Sequence, residues 1–400
     1  MSWAQPACPS CDSRELEVFY SVDNIPVNSC LVVRDEAAGR SYPRSDLRIA
    51  LCEDCGFITN TAFELARTTY DQTYEETQTF SPTFTSFQDA LIARLLAKYD
   101  LWGKTVVEIG CGKGDFLARM AELGNIRGIG IDPTSVAERL TGKAAKNVRF
   151  INEFYGPQHA KIEADLVICR HTLEHIPDVG AFLRMIHDVV GERGVPVFFE
   201  LPETLRVLRN SAYWDIYFEH CSYFTPGSLA RAFEFAGFEV DDVRLGYGNQ
   251  YLMLEARPNG SGRQYSAMLD QPADIAHEVR AFQESVAIKL RAWKQYFEEA
   301  QDTGKRVAIW GSGSKCVAFL TTVGIDSEVA CVTDINPYRF GKFIVGTGKE
   351  IVPPERLRDA SIDEVVVMNP IYQNEVSGVL ASMGVQAKVL SADEAMVVAV

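Results

Sequence analysis

Short apolar runs alternate with amphipathic stretches along most of the chain. Thr105–Ile109, Arg127–Ile131, Leu166–Cys169 and Val195–Leu201 read as buried strands, with helical stretches between them. Such alternation predicts a parallel sheet covered by helices on both faces. The pattern restarts near the C-terminus with Arg306–Trp310, Glu328–Thr333 and Glu364–Met368 as strands. Between the two blocks, Ile275, Val279, Phe282, Val286, Leu290, Trp293 and Phe297 recur at steps of three or four. With Pro272 near the start and Gly304 just past the end, they predict a core-facing amphipathic connector helix within 263–303. Residues up to about 75 hold turn residues and short alternating runs such as Leu47–Leu51. The expected fold class is α/β in four blocks: 1–75, 76–260, 261–304 and 305–400.

At 400 residues the chain is too long for one ordinary core. Its 47% apolar and 23% charged residues describe a globular protein and exclude wholesale disorder. The net charge of −15, with no dense Lys/Arg run, argues against a nucleic-acid partner. One small phosphorylated substrate held by local donors remains compatible. No run approaches the roughly 18 apolar residues of a spanning helix, and the N-terminus lacks a signal-peptide pattern. No membrane partner is expected.

Ten cysteines over this length are not a disulfide scaffold. Six are scattered singly, and four form two Cys-x-x-Cys pairs, Cys8/Cys11 and Cys52/Cys55. Such usage suggests a reducing compartment, hence a cytoplasmic location, with a metal site. Each pair can wrap a tight turn and present both sulfurs to one ion. Together they make a four-sulfur tetrahedral set that favours a structural Zn²⁺. A redox pair and unrelated cysteines are the alternatives. The gap between the pairs exceeds ordinary ribbon spacing, which calls for an insertion.

The stretch Glu108-Ile109-Gly110-Cys111-Gly112-Lys113-Gly114-Asp115 runs from a strand through three alternate glycines into a helix near Asp115. Glycines allow close backbone approach to a ligand, and the helix start offers free N–H groups. Asp132, ending the next strand, is placed to bind ribose hydroxyls. The Gly-x-Gly-x-Gly spacing after Glu108 departs from the dinucleotide fingerprint. It resembles motif I of class I S-adenosylmethionine-dependent methyltransferases. That resemblance implies a class I doubly wound sheet. It implies that Glu108, Gly110, Cys111, Gly112 and Asp132 belong to the S-adenosylmethionine site. Glu153 and Phe154 would lie beside the adenine, and His171 near the methionine end. His175, in Leu173-Glu174-His175, is either functional or a loop anchor.

Tyr217-Phe218-Glu219-His220 precedes Thr225-Pro226-Gly227-Ser228, which reads as a helix start. A Glu-His pair flanked by tyrosine at a sheet's carboxyl edge suits proton transfer near neutral pH. Here the whole chain resembles the sugar C-methyltransferases. Cysteine pairs, glycine loop, Tyr-x-Glu-His segment and C-terminal Gly-x-Gly domain follow in that order, and 334–342 is similar too. The resemblance implies C-methylation of a nucleotide-linked 4-keto-deoxysugar, typically at C-3. His220 would be the base, assisted by Glu219 and Tyr217. Tyr70 or Tyr74, in Thr69-Tyr70-Asp71-Gln72-Thr73-Tyr74, would reach over the substrate, and His175 would join them. An O- or N-methyltransferase is an alternative with the same base.

The C-terminal loop Gly311-Ser312-Gly313-Ser314-Lys315-Cys316, with Asp334 ending the next strand, has Cys316 where a dinucleotide site keeps its third glycine. It could touch the substrate's nucleotide, be purely structural, or bind NAD in an oxidoreductase.

Overall fold

A computed structural model describes residues 7–258, 260 and 263–394. The N-terminal module pairs β1 (Leu16–Pro26), β2 (Arg44–Cys52) and β3 (Ile58–Asn60) antiparallel. Leu47, Ile49, Ala50 and Leu51 of β2 are buried. A short strand, Ser222–Tyr223, extends this sheet from far along the chain by pairing with β3. The boundary at 75 therefore does not isolate a self-contained unit.

Next comes α1 (Pro82–Lys98), whose N-cap Ser81 accepts from the Phe84 N–H and whose proline occupies the first turn. The main sheet consists of β4 (Thr105–Ile109), β5 (Arg127–Ile131), β6 (Val148–Ile151), β7 (Leu166–Arg170), β8 (Val197–Pro202), β9 (Glu239–Gly246) and β10 (Tyr251–Arg257). Its order is β9-β10-β8-β7-β4-β5-β6, with β10 antiparallel to both of its neighbours. This doubly wound sheet with a reversed strand next to one edge is the class I methyltransferase arrangement. The order reverses beside β4, so the crevice over its carboxyl end is where a ligand is expected. Helix α2 (Asp115–Gly124) follows β4 after the glycine turn, α3 (Val179–Gly191) lies between β7 and β8, and α4 (Pro226–Phe235) precedes β9. Thr225 caps α4 by accepting from the Ser228 N–H.

The connector is one long helix, α5 (Pro272–Asp302). Its predicted stripe is buried, except that Leu290 is only partly so. The C-terminal unit is an all-parallel five-stranded sheet: β11 (Val307–Trp310), β12 (Val329–Thr333), β13 (Ile351–Val352), β14 (Glu364–Val367) and β15 (Lys388–Ser391), in the order β13-β12-β11-β14-β15. One apolar core joins the N-terminal sheet, α5 and this unit through Ile49, Phe282, Trp293, Phe319 and Trp214. No described helix is long and apolar enough to cross a membrane.

Candidate active site

The turn after β4 needs its glycines. Gly110, Gly112 and Gly114 have φ of +65°, +53° and +82°, a region that L side chains rarely adopt. A Cβ on Gly110 would also collide with the Thr172 side chain. The turn is closed by Asp132, whose Oδ2 accepts from the Gly112 N–H (2.9 Å) and Oδ1 from the Thr134 N–H (2.6 Å). A cavity of about 310 Å³ opens here, lined by Glu108, Gly110, Cys111, Gly112, Asp132, Phe154 and His171. Positive-φ glycines, a helix start and an acid at the next strand fit the S-adenosylmethionine site implied by the sequence. Burial raises the Glu108 carboxyl to about 8, and one of its buried oxygens has no hydrogen-bond partner. Phe154 is 62% exposed on the cavity rim. Glu153 does not line the cavity; its carboxylate accepts from Gln158 Nε2. Of the expected pair only Phe154 lines the cavity, with Tyr155 beside it.

A second cavity, also about 310 Å³, lies between the methyltransferase sheet and the C-terminal unit. Tyr74, Glu76, Thr77, Gln78, His171 and His175 line both cavities. Tyr217 and His220 line the second only. The His175 and His220 rings meet edge-on at 4.7 Å, and Tyr217 packs on His220 at 4.2 Å. Burial, then the neighbouring His175 and His171, push His220 well below the ordinary histidine range. It is a neutral acceptor at pH 7. His175 Nδ1 lies 2.9 Å from the Tyr70 hydroxyl and 3.1 Å from the Glu219 carbonyl. A proton on Nδ1 can serve both oxygens and leaves Nε2 as the free acceptor. Burial holds the Tyr70, Tyr74 and Tyr217 hydroxyls well above the ordinary phenol range, so each remains a proton donor.

His171 has φ of +49° at the end of β7. Its Nε2 lies 3.2 Å from Glu200 and its Nδ1 3.6 Å from Glu174. Burial opposes its charge, but the two carboxylates prevail and raise it to about 9. Glu219 departs from expectation. Its carboxylate faces the N-terminal module and accepts from Asn28 Nδ2 (2.9 Å), the Ser29 N–H (2.9 Å) and the Ser29 hydroxyl. It lines neither cavity, so it positions the segment rather than assisting the His220 ring.

The C-terminal loop repeats the first loop's closure. Asp334 Oδ2 accepts from the Ser312 N–H (2.8 Å), and Oδ1 from the Asn336 N–H (2.9 Å). Both loop and acid line the second cavity. Cys316 is buried within α6 (Ser314–Val323), against the core. Three cations not foreseen from sequence, Arg206, Lys315 and Arg339, line this cavity as well. Arg206 (2.5 Å) and Lys315 share the buried Asp215 carboxylate. The Lys315 position after Gly-x-Gly was the one available signal. The others converge only through the tertiary fold.

Away from both cavities, Cys8, Cys11, Cys52 and Cys55 converge with all sulfurs within 4.8 Å of one another. Cys8–Cys55 and Cys11–Cys52 are each 3.7 Å apart. Four sulfurs at about 2.3 Å from one ion would be spaced about 3.8 Å, so the set fits Zn²⁺.

Two stretches of the chain match known families. Residues 83–243 match the methyltransferase domain family, and 269–389 match the C-methyltransferase C-terminal domain family. The C-methyltransferase NovU of Streptomyces niveus is 28% identical over 293 residues, 68% of each chain. A ubiquinone biosynthesis O-methyltransferase of Aeromonas salmonicida is 28% identical over 36% of this chain and 66% of its own. Among solved structures, magnesium protoporphyrin IX methyltransferase of Synechocystis with bound SAH aligns at TM-score 0.33 and 20% identity, covering 44% of this chain and 84% of that one. The chain is an S-adenosylmethionine-dependent methyltransferase. Within that class it is similar to the C-methyltransferases, through the domain match at residues 269–389 and the likeness to NovU. The NAD oxidoreductase alternative gives way to this match of the C-terminal unit.

Proposed function

We propose that this enzyme methylates a carbon beside the ketone of a nucleotide-linked 4-keto-deoxysugar, with C-3 as the expected position. The observation that carries the reading is the shared wall of the two cavities. A neutral, buried His220 faces the second chamber, next to His175, which borders both. Bound in the first cavity, S-adenosylmethionine supplies an electrophilic methyl group on a sulfonium. His220 accepts the proton of the acidic C–H, and that electron pair moves into an enolate. A neighbouring tyrosine hydroxyl, Tyr217 or Tyr70, steadies the enolate oxygen. The enolate carbon then bonds to the methyl as the sulfur–carbon bond breaks, leaving a neutral thioether. Base catalysis of this kind is worth roughly 10²- to 10⁴-fold.

The second cavity suits the nucleotide end of such a substrate. Asp334, closed on its glycine turn as Asp132 is, is placed for ribose hydroxyls; Arg206 and Lys315 share the single Asp215 carboxylate and so leave one net positive charge, to which Arg339 adds. Zn²⁺ held by the four cysteines would be structural, because all four positions are taken by protein.

The test is hydrogen exchange in D₂O with a panel of nucleotide-linked 4-keto-6-deoxysugars. Carbon methylation predicts deuterium washing into the carbon beside the ketone, and loss of that exchange in His220→Asn. Methyl transfer without any exchange would favour an oxygen or nitrogen acceptor instead.

A further inference from the structure

The segment between β3 and α1 runs along both cavities, and Tyr74, Glu76, Thr77 and Gln78 line each of them. It is fastened to the glycine loop by Lys113. The Lys113 N–H donates to Glu76 Oε1 (3.0 Å). Its buried ammonium donates to the Gln72 carbonyl (3.3 Å) and the Thr134 carbonyl (2.8 Å). Glu76 Oε1 stands so close over Gly112 that any Cβ there would collide with it. The other oxygen, Oε2, is buried and has no hydrogen-bond partner. An unpaired buried carboxylate oxygen is costly unless a ligand completes it.

Asp115 and Asp132 also line the cavity, while Glu108, raised to about 8, is protonated at neutral pH. The cations in that lining are engaged elsewhere: Lys113 on carbonyls, Arg170 on Glu200 (2.6 Å), and His171, raised to about 9, between Glu200 (3.2 Å) and Glu174 (3.6 Å). Such a chamber favours a cationic ligand group. The methyl donor carries one at its amino-acid end, a primary ammonium.

We propose that Glu76 is a cofactor ligand, its Oε2 accepting from the ammonium of the amino-acid end while Oε1 stays on the glycine loop. This rests on reading the first cavity as the S-adenosylmethionine site. Burial raises the Glu76 carboxyl to about 7, and Asp132 and Glu75 add to this against the opposing pull of Lys113. A cation arriving beside it would therefore expel a proton at neutral pH.

Isothermal titration at pH 7 in two buffers of different ionisation enthalpy tests this. The ligands are S-adenosylhomocysteine, which keeps the ammonium, and 5′-methylthioadenosine, which lacks the amino-acid end. In Glu76→Gln, affinity for the first should fall about tenfold or more, with the second changed by less than twofold. Wild type should release about half a proton on binding S-adenosylhomocysteine, and the variant clearly less. A change within threefold for S-adenosylhomocysteine, an equal fall for both ligands, or undiminished proton release would overturn the role of Glu76 alone. Failure of wild type to bind S-adenosylhomocysteine would overturn the site reading beneath it as well. The wild-type proton count does not depend on the variant folding.

Discussion

The Tyr70 hydroxyl lies 2.9 Å from His175 Nδ1, joining a residue of the N-terminal segment to the loop after β7 across 105 positions of sequence. The bond fixes the ring that borders both chambers, so its loss should be felt in turnover rather than in cofactor binding. Tyr70→Phe is expected to lower kcat about tenfold. Its S-adenosylhomocysteine affinity should stay within about twofold of wild type by calorimetry. An unchanged kcat would remove Tyr70 from the reacting centre.

His220→Asn keeps a polar side chain but no basic nitrogen. Turnover should fall by about 10²-fold or more while cofactor affinity is nearly unchanged. Because burial and its histidine neighbours hold His220 far below the usual range, activity should show no acid limb near pH 6.5 from this residue. A wild-type profile with a limb at 6.5 that vanishes in the Asn variant would contradict its neutral state.

Replacing Cys11 by serine removes one of four sulfurs from the cluster. Metal analysis should show about one zinc per wild-type chain and a loss in the variant, with a fall in Tm of several degrees, roughly 5 °C or more. Equal metal content in both proteins would count against zinc at this site.

Stability should decline as pH rises from about 5 to 9.5. Folded Glu108 titrates near 8 and folded His171 near 9, both above their ordinary values. Each therefore binds its proton more tightly in the folded state. The Glu108 contribution is present below about 4.5 and lost through about 8. That of His171 is present below about 6.5 and lost through about 9. Glu108→Gln should flatten the Tm profile between pH 5 and 8; an unchanged slope would show that Glu108 does not contribute.

Asp334→Asn replaces one of the two oxygens that accept from the Ser312 and Asn336 N–H groups with an NH₂ that can only donate. It should reduce affinity for a nucleoside diphosphate by about tenfold and leave S-adenosylhomocysteine binding alone. A loss of both would point to a general disturbance of the fold instead.

Much of the framework was legible because its signals are local. Thr105–Ile109 and Arg127–Ile131 are strands with the bounds their apolar runs suggest, and α2 begins at Asp115 after its glycines. The helical stripe of α5 was readable for the same reason. Glu219 was misread because adjacency in sequence says little about direction. The next residue faces the cavity, while the carboxylate turns to Asn28 and Ser29, some 190 positions earlier. Glu76, Arg206 and Arg339 carry no local pattern, and only tertiary packing brings them to the chambers. The pairing of Ser222–Tyr223 with β3 was likewise invisible, being two residues long and wholly non-local.

That pairing has a consequence for the enzyme's architecture. The backbone on either side of His220 is moored to the N-terminal module: Asn60 Nδ2 donates to the Phe218 carbonyl, and the Asn60 N–H and Thr59 hydroxyl donate to that of Cys221. A shortened chain retaining only the nucleoside pouch would keep its imidazole but lose the scaffolding that aims it. The cysteine-bearing domain thus serves as a jig for the backbone around the imidazole proposed above as proton acceptor, encoded far downstream.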